Sequence, residues 1–391
     1  MDSDFSAKEP SLGYFYQIRY GLYLLLNTKQ IEGAKLLIES LDDIEIETNI
    51  NINLFQTKYH VKKDINLTDR SSDFWKTIRV WSEQIKNKQI NIAETFFSLI
   101  TTQNISDDSI LLDLKNKNDI DNILNRLKEI AEETTNQTNK KGYEAFKDLD
   151  SKEQRTLLKN IKIVDASLDF NAIDTLIKNE LRFSALPNQI ETLLERLEGW
   201  FFRNCILHLQ NQKDYISFEE IQKQILYITD SFKYDNLPVD FPTKIIPTKE
   251  EFQTITTMKF YKQLDHIDLS PRLRENAISN YYRAFNQRSK WLKDDLLNPQ
   301  EEIDYDRKLV DNWEQKFDLL LDETDELTDE QKKVAGNDFY KKYQIHQIPN
   351  ISIRDRFQED YLILGSFQML ADKLKVGWHP EFKNLMEEKE F

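Results

Sequence analysis

The stretch ESLDDIEIETNININLFQTKYH, residues 39–60, differs in periodicity from everything around it. From Asp43 to Thr48 the chain alternates strictly, with Ile44 and Ile46 to one face and Asp43, Glu45 and Glu47 to the other, the period of a β-strand. The NINI run at 49–52 supplies a turn or strand edge. Leu54 to His60 then reads as a second strand, with Gln56, Lys58 and His60 on one face and Phe55, Thr57 and Tyr59 on the other. Leu36 to Ser40 is a short apolar run that ends in an acid, Glu39. A hairpin in this register brings the Asp43 carboxylate beside Gln56, with Glu39 entering the same space.

Upstream, residues 11–26 (SLGYFYQIRYGLYLLL) predict a buried amphipathic helix with Ser11 as N-cap. Downstream, residues 72–87 return to helical spacing, with Phe74, Ile78, Trp81 and Ile85 on one stripe. Phe96 to Thr102 predicts a buried strand, 119–134, 142–149 and 151–160 helices, Ile161 to Val164 a strand and 170–182 a helix. Strands with intervening helices argue an α/β layer. Beyond Pro187 the character changes: 188–211, 217–231, 249–264, 271–297, 301–321 and 328–343 all read as helices. The expected organisation is α+β overall, an α/β domain over 1–186 and a mostly α-helical domain over 187–391. NLPVDFP at 236–242 is expected to be an ordered loop rather than a linker. No repeat of 20–50 residues is present, so a solenoid is not supported.

Composition narrows the class. The 391 residues are enough for two cores, and 39% hydrophobic and 12% aromatic content argues against wholesale disorder. Only 8 glycines and 9 prolines favour long helices over a turn-rich all-β fold. The start, MDSDFSAKEP, has acids where a signal peptide has bases, and the apolar run Gly21 to Leu26 is too short for a membrane. The lone Cys205 excludes an internal disulfide and a Cys-rich zinc site. These features point to the cytoplasm and to no membrane partner. The net charge of -15 opposes nucleic-acid encounter, so affinity for such a ligand would come from a locally basic surface or, the preferred reading, from an assembly.

The polar face of the 39–60 stretch has the chemistry that phosphodiester hydrolysis needs. Oxygen donors hold Mg²⁺ (or Mn²⁺), which keeps several waters and acidifies one of them. Asp43 is the principal candidate ligand, the Gln56 carbonyl a neutral second one and Glu39 a third. Lys58 would orient the attacking water or offset charge on the phosphate. Gln17, on the first helix, and His60 are candidates to orient substrate or a ligand. Asp42 competes with Asp43 as the metal ligand, although alternation favours Asp43 because Ile44 must point into the core. The bland alternative is a solvated edge strand, since 68 acids make such spacing easy to meet by chance.

Together the helix GYFYQ, the E-x-x-D-D-I turn and Q-T-K-Y-H resemble the PD-(D/E)xK nucleases of bacterial defence systems, in the branch with QxK in place of ExK. SSDFWKTIRVW and FFSLITT fit that branch too. In the second half, LERLEGWFF (194–202), NLPVDFP (236–242), AISNYYRAFNQRSKW (277–291) and VGWHPEF (376–382) are similar to nuclease effectors of three-component systems built around an SMC-like ABC ATPase, most like the nuclease subunit of Lamassu. The resemblance implies a restriction-endonuclease-like N-terminal domain with Asp43, Gln56 and Lys58 as its core, Glu39 beside them and Gln17 in support. It further implies a metal-dependent endonuclease on double-stranded DNA, with RNA the alternative substrate. The implied partners are an SMC-like ATPase, a small accessory subunit and further copies of the chain, through a helical partner-docking or oligomerisation domain. The competing class is a catalytically silent adaptor.

Other signals are weaker. The five histidines are dispersed, His379 lies in what looks like a packed turn, and no P-loop, Rossmann turn or serine-hydrolase elbow appears. The helix carrying Arg272, Arg274, Arg283, Arg288, Lys290 and Lys293 with Tyr281, Tyr282 and Trp291 reads as a partner-docking surface, ahead of a core helix with paired bases or a nucleic-acid surface.

Overall fold

The computed structural model describes residues 8–60, 66–133, 135–167 and 170–387. The opening residues, read as lacking a leader, lie partly outside the described ones. The fold is mixed α+β, 59% helical, with one six-stranded sheet. It divides into two compact units, Met1–Tyr227 and Ile228–Phe391.

The first unit begins with helix α1 (Lys8–Leu26), so Ser11 lies inside the helix rather than capping it. Three antiparallel strands follow: β1 (Lys35–Ile38), β2 (Ile44–Glu47) and β3 (Ile52–Lys58). Helix α2 (Ser72–Lys86) then carries the chain to β4 (Thr95–Thr101), parallel to β3. Four helices, α3 (Ile110–Asn116), α4 (Ile120–Ala131), α5 (Lys140–Lys147) and α6 (Ser151–Asn160), lead to β5 (Ile161–Val164), parallel to β4. Such parallel pairs need crossovers of this length. Helices α7 (Phe170–Leu181), α8 (Ile190–Leu209) and α9 (Phe218–Asp230) follow, with the two-residue strand β6 (Ile216–Ser217) between the last two. The strand order is β5-β4-β3-β2-β1-β6.

β6 pairs with β1, and α8 packs on α1 and β1. Residues 187–227 therefore belong with the sheet, beyond the break read at Leu186–Pro187. That break is one turn of 3-10 helix (Pro187–Gln189) leading into α8. Sequence could not show this, because two residues of β6 are too few to carry a period.

One sheet face packs on α1: Leu36 and Ile44 are fully buried beneath Gly21. The other face, with Leu54, Phe97, Leu99, Ile161 and Ile163, packs on α2 through Phe74, Ile78 and Trp81. The predicted α2 stripe is thus the core stripe. Helix α5 comes close to α2 because residue 142 is glycine; a Cβ there would lie 2.4 Å from the Trp75 carbonyl oxygen. With both faces covered, the acidic face of β2 is not solvated as its alternation suggested. Glu45 is buried opposite Leu54, and burial, with the charge of Glu47, pushes its carboxyl up to about 7.

The second unit is helical among its described residues. Helices α10 (Lys249–Thr257) and α11 (Lys259–His266), read as one from sequence, are separated at Met258, whose backbone is extended. Then come α12 (Pro271–Lys293), α13 (Pro299–Thr324), α14 (Asp329–Lys341), a π-helical turn (Lys342–His346), α15 (Asp360–Asp372) and α16 (Phe382–Glu387). The loop 236–242 is ordered as expected: Trp291 donates to the Pro238 carbonyl at 2.9 Å, and Gln287 Oε1 accepts from Asp240 N at 2.8 Å.

Candidate active site

The register Ile44↔Phe55 places Asp43, one residue before β2, across from Gln56 on β3. This is the juxtaposition the alternation predicted. Gln56 Nε2 donates to Asp43 Oδ1 at 2.8 Å and also to Asp42 Oδ1. Lys58 Nζ donates to Gln56 Oε1 at 2.8 Å. Asp43 Oδ2 accepts from the Thr57 amide at 2.7 Å and from Thr57 Oγ1 at 3.0 Å. Thr57 was read on the opposite face, yet its Oγ1 as well as its backbone N–H reaches the carboxylate, which side-chain alternation did not anticipate.

Glu39 follows β1 with φ of 52°, the left-handed region that costs a non-glycine residue about 1 kcal/mol. Its amide donates to the Asp43 carbonyl at 3.2 Å. Gln17, buried on α1, ties the turn down from above: its Nε2 donates to Glu39 Oε1 at 3.0 Å and to the Asp43 carbonyl. Gln17, Glu39, Asp43, Gln56 and Lys58 are therefore joined in one hydrogen-bonded group.

His60 lies past the end of β3, which stops at Lys58 rather than at His60. Its Nε2 is 2.8 Å from Asp73 Oδ2 in the first turn of α2. That bond holds the Asp73 carboxyl below its usual range, helped by the positive charges of Lys58 and Lys76. His60 thus serves the rim, on α2, rather than Asp43.

Asp42, weighed from sequence only as a rival ligand, is buried beneath the group. Trp81 Nε1 donates to its Oδ2 at 2.6 Å, and the Asp43 amide to its Oδ1 at 3.0 Å. Burial raises its carboxyl to about 7 against the lowering by the Trp81 bond, with the neighbouring Asp43 charge also raising it. Trp81 was read as core; the signal for its second role is that a buried indole N–H needs an acceptor.

The donor set tests the expected metal. Among the described residues no group of three His, Cys, Asp or Glu is arranged to hold an ion. The set here is two carboxylates, Glu39 and Asp43, and one amide oxygen. All are hard oxygen donors, as Mg²⁺ prefers, and water would supply the remaining positions. The Gln56 carbonyl faces Lys58, while its nitrogen faces Asp43.

Of the six bases read on α12, Arg288 is buried, Arg274, Arg283 and Lys290 are half-buried, and Arg272 and Lys293 are exposed. Arg288, 2% exposed, binds Glu302 at 2.9 Å and Asp306 at 2.8 Å; Arg274 binds Asp265 and Lys290 binds Asp294. Arg283 donates to the Phe241 and Pro242 carbonyls and lies 3.7 Å over the Tyr361 ring. Trp291 is fully buried and Tyr281 stacks on Phe260. These contacts fit the core-helix reading for the buried stripe of α12, with Arg272 and Lys293 on its exposed side. His379 is packed as expected, its Nδ1 accepting from the Glu381 amide at 3.1 Å. No helix among the described residues is long and apolar enough to cross a membrane.

No curated protein matches the chain. Among solved structures it is similar to the Cap4 SAVED/CARF-domain containing receptor of Acinetobacter baumannii with the cyclic trinucleotide 2'3'3'-cAAA: 15% identity, 66% of this chain, 58% of the other, TM-score 0.37. The receptor of Moraxella osloensis gives 14% identity, 66% and 60% coverage and a TM-score of 0.35. The chain thus spans about 58–60% of the length of these structures. Residues 260–386 match the family model CTD7, C-terminal domain 7 of the ABC-three component (ABC-3C) systems, and this match supports the chain as a component of a defence system of that kind, with protein partners.

Proposed function

We propose that the first unit is a divalent-cation-dependent phosphodiester hydrolase that cuts DNA as the effector of its ABC-3C system. The observation that carries this reading is the line Asp43–Gln56–Lys58, with Glu39 joined to it through Gln17. The order helix, three antiparallel strands, helix, parallel strand supports it as a restriction-endonuclease-like core. Asp43 and Glu39 would hold Mg²⁺ or Mn²⁺ together with water, while the Gln56 carbonyl, turned away from Asp43, would seat the Lys58 ammonium rather than the ion. When bound, the ion supplies Lewis acidity to a phosphoryl oxygen and a lowered pKa to a coordinated water.

The protein's own groups have separable tasks. Lys58, held at Gln56 Oε1, places a positive charge at the mouth of the group, where phosphate charge develops. Gln17 keeps the Glu39 carboxylate over the turn, and Thr57 fixes the Asp43 carboxylate against rotation. Regulation by an SMC-like ATPase with a small accessory subunit, and self-association to cut both strands, complete the proposal.

The test is purified protein with Mg²⁺ and supercoiled plasmid, where nicked or linear product is expected. Asp43→Ala and Lys58→Ala should abolish it, and cleavage retained in both discards the site. The adaptor reading is favoured by one observation: both Asp43 oxygens already accept protein hydrogen bonds. If Lys58→Met leaves phage or plasmid protection intact, the adaptor reading replaces the hydrolase.

A further inference from the structure

The Gln56 amide meets two carboxylates with one nitrogen. Its Nε2 donates to Asp42 Oδ1 and, at 2.8 Å, to Asp43 Oδ1. A primary amide nitrogen has two N–H bonds, so the donors and the acceptors balance. With both protons committed, the amide plane is fixed and Oε1 is left to face Lys58 Nζ at 2.8 Å. Asp42 cannot give way, since it is 5% exposed and held by the Trp81 indole at 2.6 Å and the Asp43 amide at 3.0 Å. Its Oδ1 takes two of these bonds and its Oδ2 the third.

We infer that Asp42 is a positioning residue that requires a neutral amide at position 56 and, through it, aims Lys58. The path runs from the rigid α2 face to the reacting group: Trp81 fixes Asp42, Asp42 orients Gln56, and the Gln56 carbonyl seats the ammonium. A glutamate at 56 would bring a third carboxyl group against two others and remove both N–H donors that they accept from. The acid missing from position 56 is thus present at position 42, one layer deeper. Asp42 touches Gln56 and not the reaction centre, so it acts through geometry. The catalytic consequence rests on the hydrolase reading; the hydrogen-bond requirement does not.

A swap of the two groups tests this. Asp42→Asn sets an N–H against a donor in either orientation of its amide, facing Gln56 Nε2 in one and the Trp81 indole in the other. Gln56→Glu sets carboxylate against carboxylate. Asp42→Asn/Gln56→Glu restores one donor facing one acceptor between the two positions and the original number of acids, with the carboxylate at 56 against Asp43 as the residual cost. Each single variant of the full chain should lower Tm by roughly 5–10 °C, and the double variant should recover at least about half of the summed loss. Labelling of Lys58 by an activated ester, read by mass spectrometry, should rise several-fold in Asp42→Asn and fall back in the double variant. A merely structural role for Asp42 would not produce that reversal. If a single variant fails to fold, recovery of a folded chain in the double is the same result. Additive losses, or a double variant no more stable than the weaker single, overturn the inference. Calorimetric titration of the wild-type chain with Mn²⁺ separates the two readings. Recovery in the double without Mn²⁺ uptake leaves Asp42 as positioning residue and removes the hydrolase. Additive losses with Mn²⁺ uptake do the reverse.

Discussion

Trp81→Phe is the most informative single change, because it removes one donor from a buried acid and leaves a ring in the core. Trp81 is fully buried, and its indole N–H meets Asp42 Oδ2 at 2.6 Å. A hydrogen bond to an ionised group is worth about 1.5–3 kcal/mol, and loss of the second ring adds about 1–2 kcal/mol of burial and cavity cost. At pH 8 the penalty should therefore be about 4 kcal/mol. The Asp42 carboxyl is raised to about 7 in the folded chain against 3.8 ordinarily, so the folded state holds the proton longer. Stability in the wild type accordingly falls as pH rises from about 4 to about 7 and levels off above. At pH 5 the folded carboxyl is protonated and the bond becomes an ordinary neutral one worth about 1 kcal/mol. The penalty should then drop by about 1–2 kcal/mol. Urea unfolding followed by circular dichroism at pH 5 and pH 8 reads this difference, provided m is unchanged. An equal penalty at both pH values would refute the claim that Trp81 stabilises an ionised Asp42.

Three further outcomes are expected. Lys58→Ala should cut Mg²⁺-dependent plasmid cleavage by at least about 10²-fold, the usual loss for a group that stabilises developing charge, while leaving the melting temperature nearly unchanged because Lys58 is half-exposed. Glu45→Gln should stabilise the chain: the Glu45 carboxyl is raised from 4.5 to about 7, so the gain is absent near pH 4.5, grows as pH rises and levels above pH 7, as thermal melts across that range will read. Gly365→Ala should destabilise the second unit by about 3 kcal/mol, the upper end of the usual overpacking cost. A Cβ there would lie 2.0 Å from the Asn280 carbonyl oxygen where α15 meets α12, and a neutral result in urea unfolding would contradict that packing.

Period alone placed the strands of the site, while the roles of its residues came from the resemblance. Alternation in 43–48 and 54–60 gave β2 and, overrunning its end at Lys58, β3; the hairpin between them put Asp43 across from Gln56, and spacing on α2 gave its core stripe. Backbone dihedrals impose those periods locally, so they survive in the sequence without knowledge of the fold. Short or irregular elements did not: β6 has two residues, α3 seven and the π-helical turn five, too few for a period to emerge.

What only the tertiary structure decided is where charge can be solvated. The alternation marked Asp43, Glu45 and Glu47 alike as outward, yet α2 covers that face and leaves Glu45 buried and Asp43 half-exposed. The same packing puts Asp42 under Trp81 and so gives Gln56 its orientation. It also sends Arg274, Arg283, Arg288 and Lys290 of α12 to acids and carbonyls within their own unit. Sequence fixes which face a side chain takes along its own strand or helix; whether that face meets water or another element depends on residues far away in the chain, and burial of charge follows from that alone.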